Sequence, residues 1–498
     1  MDRFLYRSLE ILPALLAWGF LGLLIGLSFI LPTWVAIFII VFDFYWLVKV
    51  VYLSLHLRSS YRRMRENMKI DWFEKLKEDH PGEWDEYRHL VILPMASEPY
   101  EVLEATFEAL ARADYDKQKF IVVLATEKRF GEHGLKVAEK IRQKFGNEFF
   151  KLLVTSHPAN IPGELAGKGS NETWAAKRVK EEIIDPLGLE YKKIIISVFD
   201  VDTNVPPGYF ALLTYKYLTH PNPTRASFQP IPLYTNNIWE APALARVLSF
   251  STTFWHMMQQ ERPERQATFS SHAMSFKTLV EIGFWHTDVV SEDSRIFWQC
   301  FLFFNGEYEV VSLYYPVSMD ANVAPTFWRT MINQYKQQRR WGWGAENVPY
   351  TLFGFLKNKK IALTVKLRKT FELVEGFHSW ATNSIVIFLM GWFPVMVGGA
   401  AFNVTLLSYN LPRITRILMT LALIGVVSSM VFSINLLPPR PQIHGRYKYA
   451  TMILQWVLLP FLLIFFGSVP ALEAQTRLAL GGRFRLGFWV TPKSRIRN

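Results

Sequence analysis

"KIIISVFDVDTN", residues Lys193 to Asn204, joins a run of β-branched residues to two closely spaced aspartates. The apolar run predicts a buried strand, and the change to Asp, Thr and Asn predicts the turn at its end. Three earlier runs have the same character, namely "HLVILP" (His89 to Pro94), "KFIVVLA" (Lys119 to Ala125) and "FKLLVT" (Phe150 to Thr155).

Helix-compatible apolar spacing separates these runs, at Tyr100 to Ala113, Gly134 to Phe145 and Asn171 to Ile184. Strands that alternate with helices predict an α/β, Rossmann-like nucleotide-binding fold with a mostly parallel sheet. Ligands bind at the carboxyl ends of the strands in such sheets, so the residues that follow each strand matter most.

Asp200 and Asp202 follow the strand of the opening stretch. Two carboxylates there suit Mg²⁺ or Mn²⁺, which bridges to phosphate oxygens. A simple turn is the alternative interpretation of Asp-x-Asp.

Two further stretches carry charged residues in patterns that suit catalysis. In "FWHTDVVSEDSRIFWQ", Glu292 and Asp293 open a predicted helix, where acids are favoured by the helix dipole; the alternative is a general base. "QQRRWGWG", from Gln337 to Gly344, is either a solvated basic face beside a membrane or a functional site.

Long apolar runs lie at both ends of the chain, at Ile11 to Leu31, Trp34 to Leu55, Ser384 to Leu407, Ile417 to Leu437 and Ala450 to Leu472. Their length predicts membrane-spanning helices. A signal peptide is set aside for the first run because no small-residue cleavage site follows it.

Lys and Arg flank the first two runs on the side of the central region, which predicts a cytoplasmic domain. Five crossings would leave the basic C-terminal tail outside, so Pro460 and Pro470 favour a re-entrant or broken hairpin in the last run. Asp43 lies within the second run and either lines a channel or pairs with a neighbouring helix.

Composition agrees with this organisation. The chain has 498 residues, 50% of them hydrophobic, a net charge of +12 and one cysteine, Cys300, which excludes an intramolecular disulfide. The stretch "LKNKKIALTVKLRK" predicts a helix in the interface of anionic lipid rather than a nucleic-acid site. We therefore expect two transmembrane helices at 1–58, a cytoplasmic domain at 59–345, interfacial helices at 346–382, about three transmembrane helices at 383–472, and a basic tail at 473–498.

The strand-end "DVD", then "SED", then "QQRRW" between membrane runs resembles the family 2 glycosyltransferases of the GT-A fold. It is most similar to the processive branch that includes cellulose and hyaluronan synthases. The resemblance covers nearly the whole chain. It departs from the family at the second strand, where Glu127 replaces the usual aspartates, and in the first motif, which reads "MASE".

The resemblance implies a role for each motif. "VILPMASEP", "LATEKR", "GKGSN" and "DVD" imply nucleotide-sugar binding by Pro94, Glu98, Glu127, Lys168, Asn171, Asp200 and Asp202, the last two also holding the metal. "SED" implies Asp293 as the base beside Glu292, and the Gln-x-x-Arg-Trp motif implies Arg340 at the diphosphate. Gln337, Trp341 and His272, in "FSSHAMSF", are implied on the acceptor side.

We therefore expect an inverting, Mg²⁺- or Mn²⁺-dependent glycosyltransferase of the cell membrane. It would transfer a sugar from a UDP-sugar to a growing β-linked polysaccharide and pass the product through its own spans. One alternative is the transfer of a single sugar to a lipid-linked acceptor. Another is a catalytically silent glycan-binding or export subunit. The sequence identifies no partner subunit.

Overall fold

A computed structural model describes residues 2–492. Its central feature is one seven-stranded mixed sheet in the order β3-β2-β1-β4-β6-β5-β7. The strands are β1 (Arg88–Pro94), β2 (Phe120–Glu127), β3 (Lys151–His157), β4 (Ile194–Val198), β5 (Ala226–Leu233), β6 (Ala273–Ser275) and β7 (Glu309–Ser318). The first four are the predicted strands, so the predicted α/β fold is confirmed.

β1 to β4 are parallel to one another, and β6 joins them to β5 in the antiparallel sense. The carboxyl ends of β1, β2 and β4 therefore lie along one edge of the sheet. Strand β4 is buried at every residue, which explains its unbroken run of β-branched side chains.

Helices cover both faces of the sheet, and further helices form both ends of the chain. Before and within the domain these are α1 (Asp2–Ile30), α2 (Pro32–Asn67), α3 (Trp72–Asp79), α4 (Tyr100–Ala111), α5 (Glu132–Phe145), α6 (Lys168–Val179), α7 (Tyr209–Thr219), α8 (Ala243–Gln260), α9 (Phe276–Glu281), α10 (Glu292–Phe303) and α11 (Phe327–Gly342). The three helices predicted between the strands are confirmed as α4, α5 and α6.

The C-terminal part is helical as well. It contains α12 (Asn347–Lys357), α13 (Leu363–Ile385), α14 (Phe393–Val397), α15 (Gly399–Asn403), α16 (Leu406–Asn435), α17 (Tyr447–Leu454), α18 (Leu459–Leu462) and α19 (Val469–Leu480). Four stretches are long and apolar enough to cross a membrane, namely Asp2–Ile30, Pro32–Asn67, Leu406–Asn435 and Tyr447–Leu480.

The last apolar run differs from the expected hairpin. Residues Tyr447–Leu480 form one uninterrupted helical stretch. Pro460 and Pro470 each lie in the first turn of an α-helical segment that follows a 3₁₀ turn and a π turn respectively, so each proline coincides with a local change of helix type. The chain therefore does not reverse there.

This stretch packs on the central domain and also on α1 and α13, because Trp18 donates to Thr476 at 2.8 Å and Ser384 donates to the Leu463 carbonyl at 2.9 Å. Near its start, the ring of Trp456 stacks on that of Phe254 in α8 at 5.8 Å. Near its end, Glu473 accepts hydrogen bonds from Tyr335 (2.6 Å) and Arg339 (2.7 Å) of α11. Both ends of the stretch thus contact the same domain.

The run Ser384 to Leu407 is not a single helix. It comprises the end of α13, a π turn at Val386–Met390 and the short helices α14 and α15. This path still follows α1 over its length, because His378 contacts Phe20 at 5.1 Å and Phe393 contacts Phe29 at 6.0 Å between ring centroids.

α16 then returns beside α2 in the same direction as α2. A methyl group at Gly425 would lie 2.6 Å from Val50, and Phe432 contacts Tyr61 at 5.1 Å between ring centroids. Residues 493–498 of the predicted basic tail lie outside the described residues.

Candidate active site

The ends of β1, β2 and β4 bring the predicted strand-end acids to one edge of the sheet. Asp200 and Asp202 follow β4, and Glu127 ends β2. Asp202 is fully buried, and its Oδ2 accepts a hydrogen bond from the Asp320 backbone N–H at 2.9 Å. Asp200 is half-buried, with 30% of its side chain exposed. Asp200 and Asp202 therefore lie in the predicted turn after β4, at the sheet edge where ligands bind in such folds.

Lys168, at the start of α6, joins three acidic side chains from different parts of the chain. Its Nζ lies 3.0 Å from Asp200, 3.5 Å from Glu172 and 3.6 Å from Glu292. Burial by itself would lower the pKa of Lys168, but the surrounding carboxylates outweigh burial and raise this pKa well above its usual value. The lysine is therefore cationic and holds the acids together.

Glu172 is a member of this cluster that the sequence analysis missed. It lies one turn after Lys168 on the same face of α6 and is buried. Burial first, and then the charges of Glu292 and Asp200, raise its pKa well above the usual range of a carboxyl. The four-residue spacing from Lys168 is the only signal in the sequence that points to it.

Glu292 and Asp293 open α10, as the capping interpretation predicted, and they also lie in the cleft. Glu292 is 2% exposed, whereas Asp293 is half-buried. Burial, followed by the charge of Asp293, raises the pKa of Glu292 to about 8. A methyl group at Gly169 would lie 2.9 Å from Glu292 Cβ, so the glycine allows the two segments to meet. The more accessible Asp293 is the better placed of the two to contact a substrate.

The opposite wall of the cleft is formed by α11. The indole of Trp341 lies 6.4 Å from the ring of Tyr234, tilted by 45°. Burial, with the charges of Asp200, Asp202 and Asp293, raises the pKa of Tyr234, so its hydroxyl stays protonated. Gln337 Oε1 accepts a hydrogen bond from Asn322 at 3.3 Å. Tyr234 and Trp341 together offer two aromatic faces beside the acids.

The C-terminal segment 485–492 lies against this cleft, which the sequence analysis did not predict. The guanidinium of Arg340 lies 4.9 Å from the centroid of the Phe488 ring, and Lys336 lies 5.6 Å from that of Trp489. A methyl group at Gly167, just before Lys168, would lie 2.6 Å from Phe488. Aromatic residues within a basic tail were the signal for this contact.

The residues expected around the nucleotide base lie at the ends of β1 and β2. Glu127 forms an ion pair with Arg129 at 2.7 Å, and burial raises its pKa in spite of this partner. Glu98 accepts a hydrogen bond from the Ala96 N–H at 2.7 Å in the turn after Pro94. Asn171 donates to the Ala125 carbonyl at 2.7 Å and so ties α6 to β2.

His272 is 2% exposed and lies just before β6. Its Nδ1 is 3.0 Å from the Phe269 carbonyl oxygen, and burial lowers its pKa to about 4. The imidazole is therefore neutral near pH 7. Its expected contact with the acceptor remains a prediction.

The carboxylates fit a divalent cation only together with a ligand's phosphates. Within residues 2–492, no group of three or more His, Cys, Asp and Glu side chains is arranged to hold a metal ion. Lys168 occupies one side of Asp200, which leaves Asp200 and Asp202 as the oxygen donors after β4. Mg²⁺ is commonly held by one or two carboxylates with phosphate oxygens and waters, so this donor set suits a metal that arrives with a diphosphate.

Comparison with known sequences gives one family. The sequence model of "glycosyl transferase family group 2" matches residues 195–469, more than half of the chain. No curated protein matches the chain.

Solved structures similar to this chain are distant. One is the mannosyltransferase PcManGT from Pyrobaculum calidifontis in complex with GDP-Man and Mn²⁺, at 13% identity, covering 77% of this chain and 99% of that chain, with a TM-score of 0.39. Another is S. aureus TarS 1-349 in complex with UDP-GlcNAc, at 12% identity, covering 75% and 91%, with a TM-score of 0.39. At these scores neither bears on the donor or the acceptor of this protein.

Proposed function

The chain belongs to glycosyl transferase family group 2, and from that premise we propose that it is a membrane-embedded inverting glycosyltransferase that elongates a β-linked polysaccharide from a nucleotide sugar. We place it in the processive branch with cellulose and hyaluronan synthases, and a UDP-sugar is the proposed donor.

The observation that carries this proposal is the convergence of three sequence motifs on Lys168. Its ammonium group, in the "GKGSN" motif, lies 3.0 Å from Asp200 of the "DVD" motif and 3.6 Å from Glu292 of the "SED" motif. Cations beside carboxylates at the strand ends suit a nucleoside diphosphate, whose charge increases as it departs. A catalytically silent subunit would have no need to retain this cluster.

In the proposed reaction, Asp293 accepts the proton of an acceptor hydroxyl. The hydroxyl oxygen then forms a bond to the anomeric carbon, and the bond from that carbon to the diphosphate oxygen breaks with inversion. Arg340 and Lys168 stabilise the negative charge on the departing diphosphate. Asp200 and Asp202 would hold Mg²⁺ or Mn²⁺, which when bound neutralises phosphate charge.

Trp341 and Tyr234 are the proposed platform for the acceptor sugar, because an indole face stacks on a pyranose ring. A chain held there between additions makes the enzyme processive. Transfer of one sugar to a lipid-linked acceptor needs no such retention, so product length separates the two functions.

We also propose a topology of four crossings in the cell membrane. They are α1, α2, the path through α13 and α14, and α16. We propose that the stretch Tyr447–Leu480 does not cross the membrane, which the contacts of Trp456 and Glu473 with the central domain support. Leu363, Leu367 and Phe371, four residues apart and 61–69% exposed, give α13 an apolar face for the lipid interface.

The test is turnover by the purified protein in lipid. It is offered radiolabelled UDP- and GDP-sugars with Mg²⁺ or Mn²⁺, and the products are sized. One UDP-sugar should give long polymer, and EDTA should abolish its formation. Short lipid-soluble products would refute processivity, and no release of nucleotide from any donor would refute the enzyme.

A further inference from the structure

The carboxylate of Glu346 connects two motifs that are 50 residues apart in sequence. Its Oε1 accepts hydrogen bonds from the Val290 N–H (3.0 Å), the Ser291 N–H (2.9 Å) and the Ser291 hydroxyl (2.7 Å). Its Oε2 accepts one from the indole N–H of Trp343 at 3.0 Å. Four donors thus meet one side chain. Three belong to Val290 and Ser291, directly before Glu292, and the fourth belongs to Trp343, two residues after Trp341.

The residues after Asp293 are held by the same turn of chain. Arg295 donates to Asn347 Oδ1 at 2.6 Å and to the Glu346 carbonyl at 3.0 Å. Asn347 donates in turn to the Ser294 hydroxyl at 2.9 Å. Both flanks of the acidic pair are therefore fastened to residues 346 and 347, which follow α11 through a single 3₁₀ turn.

We propose that Glu346 is a positioning residue for Asp293. Its bonds to the Val290 and Ser291 backbone fix the position of the loop before Asp293. Its bond to Trp343 fixes that loop relative to α11, which carries the proposed acceptor residue Trp341. The inference rests on the proposed function for its effect on turnover, although its hydrogen bonds are a property of the fold.

The chemistry of the four donors explains why a carboxylate is required. An ionised carboxylate only accepts hydrogen bonds, so it serves the loop with one oxygen and the indole with the other. In Glu346→Gln the amide nitrogen is a donor and cannot accept from Trp343. Either the indole or the loop must then lose its bond, and a displacement of about 1 Å at a catalytic group costs on the order of a hundredfold in rate.

The experiment compares Glu346→Gln with the unmodified protein in lipid. We expect kcat to fall roughly ten- to a hundredfold, while the KM for the donor and the affinity for free nucleotide stay the same. Hydrogen exchange at the Val290 and Ser291 amides should become faster, which reports the lost contact without requiring activity.

Trp343→Phe provides the matched second change, because it removes the indole N–H and leaves an aromatic ring. In the double variant the Gln oxygen can remain on the loop without a conflict between two donors. The double variant should therefore be less impaired than the product of the two single effects predicts. Glu281→Gln, at a surface ion pair with Lys277, should change none of these readouts.

The outcomes separate the two proposals. Normal kcat and unchanged exchange in Glu346→Gln would overturn the positioning role. Loss of nucleotide binding together with kcat and melting temperature would also overturn it, because it would make Glu346 a merely structural residue. If the unmodified protein turns over no donor, the proposed function fails, while the exchange measurement still decides whether Glu346 holds the loop.

Discussion

At the scale of single residues, Glu292 and Asp293 are sequence neighbours in different surroundings. Glu292 is buried beside Lys168, whereas Asp293 is half-buried and open to the cleft. We predict that Asp293→Asn lowers turnover by about 10² to 10⁴, the usual range for a general base, while nucleotide binding survives. Single-turnover kinetics measure the loss of turnover, and nucleotide titration measures the binding. Asp185→Asn, at a surface ion pair, is the control, and equal losses in both variants would remove Asp293 from this role.

Glu292 gives a prediction for stability against pH. Its pKa is about 8 in the fold and near the model-peptide value of 4.5 in the unfolded chain. Between these values the folded chain retains a proton that the unfolded chain has released, so the free energy of unfolding falls as pH rises. Glu292→Gln removes this loss. Without nucleotide, the melting temperature of Glu292→Gln minus that of the unmodified protein should therefore increase from pH 5 to pH 8. A constant difference, as expected for Glu281→Gln, would contradict the assignment.

At the scale of elements, α11 and α19 approach each other at a glycine. A methyl group at Gly342 would lie 2.9 Å from the Ala471 Cα, which is backbone and cannot turn aside. Gly342→Ala should be destabilising, because overpacking costs about 1–3 kcal/mol and exceeds the gain of about 1 kcal/mol in helix propensity. Thermal unfolding in detergent measures the effect.

Gly376→Ala is the matched control for this helix contact. Gly376 also lies inside a helix, α13, but a methyl group there would meet nothing within 4 Å. It should be neutral or stabilising. Equal stability of both variants would mean that α19 is not held closely against α11.

At the scale of the whole molecule, the position of Tyr447–Leu480 decides the side of the tail. With four crossings, a cysteine at Arg483 should resist a membrane-impermeant thiol reagent added outside intact cells. A cysteine at Val404, 85% exposed between α15 and α16, should be labelled readily. Cys300 is buried and contributes little background. Labelling at position 483 from outside would mean that the last stretch crosses the membrane.

The sequence by itself determined the local structure of the catalytic domain. The β-branched runs ending at Pro94, Ala125 and Asp200 predict their strands because burial on both faces selects such side chains, whatever their neighbours are. The same alternation places Asp200 and Asp202 at a strand end. The motif order around Asp293 and Arg340 was also sufficient to identify the family.

Only the tertiary structure decided which distant groups meet. Glu172, Phe488 and Glu346 carry no motif, and their roles depend on contacts with residues from 3 to more than 300 positions away, such as the Phe488 contact with Gly167. Hydropathy likewise could not settle the last apolar run. An apolar helix packed on a protein surface and one in lipid both exclude water, so their sequences look alike. The contacts of Trp456 with Phe254 and of Glu473 with α11 appear only in the tertiary structure.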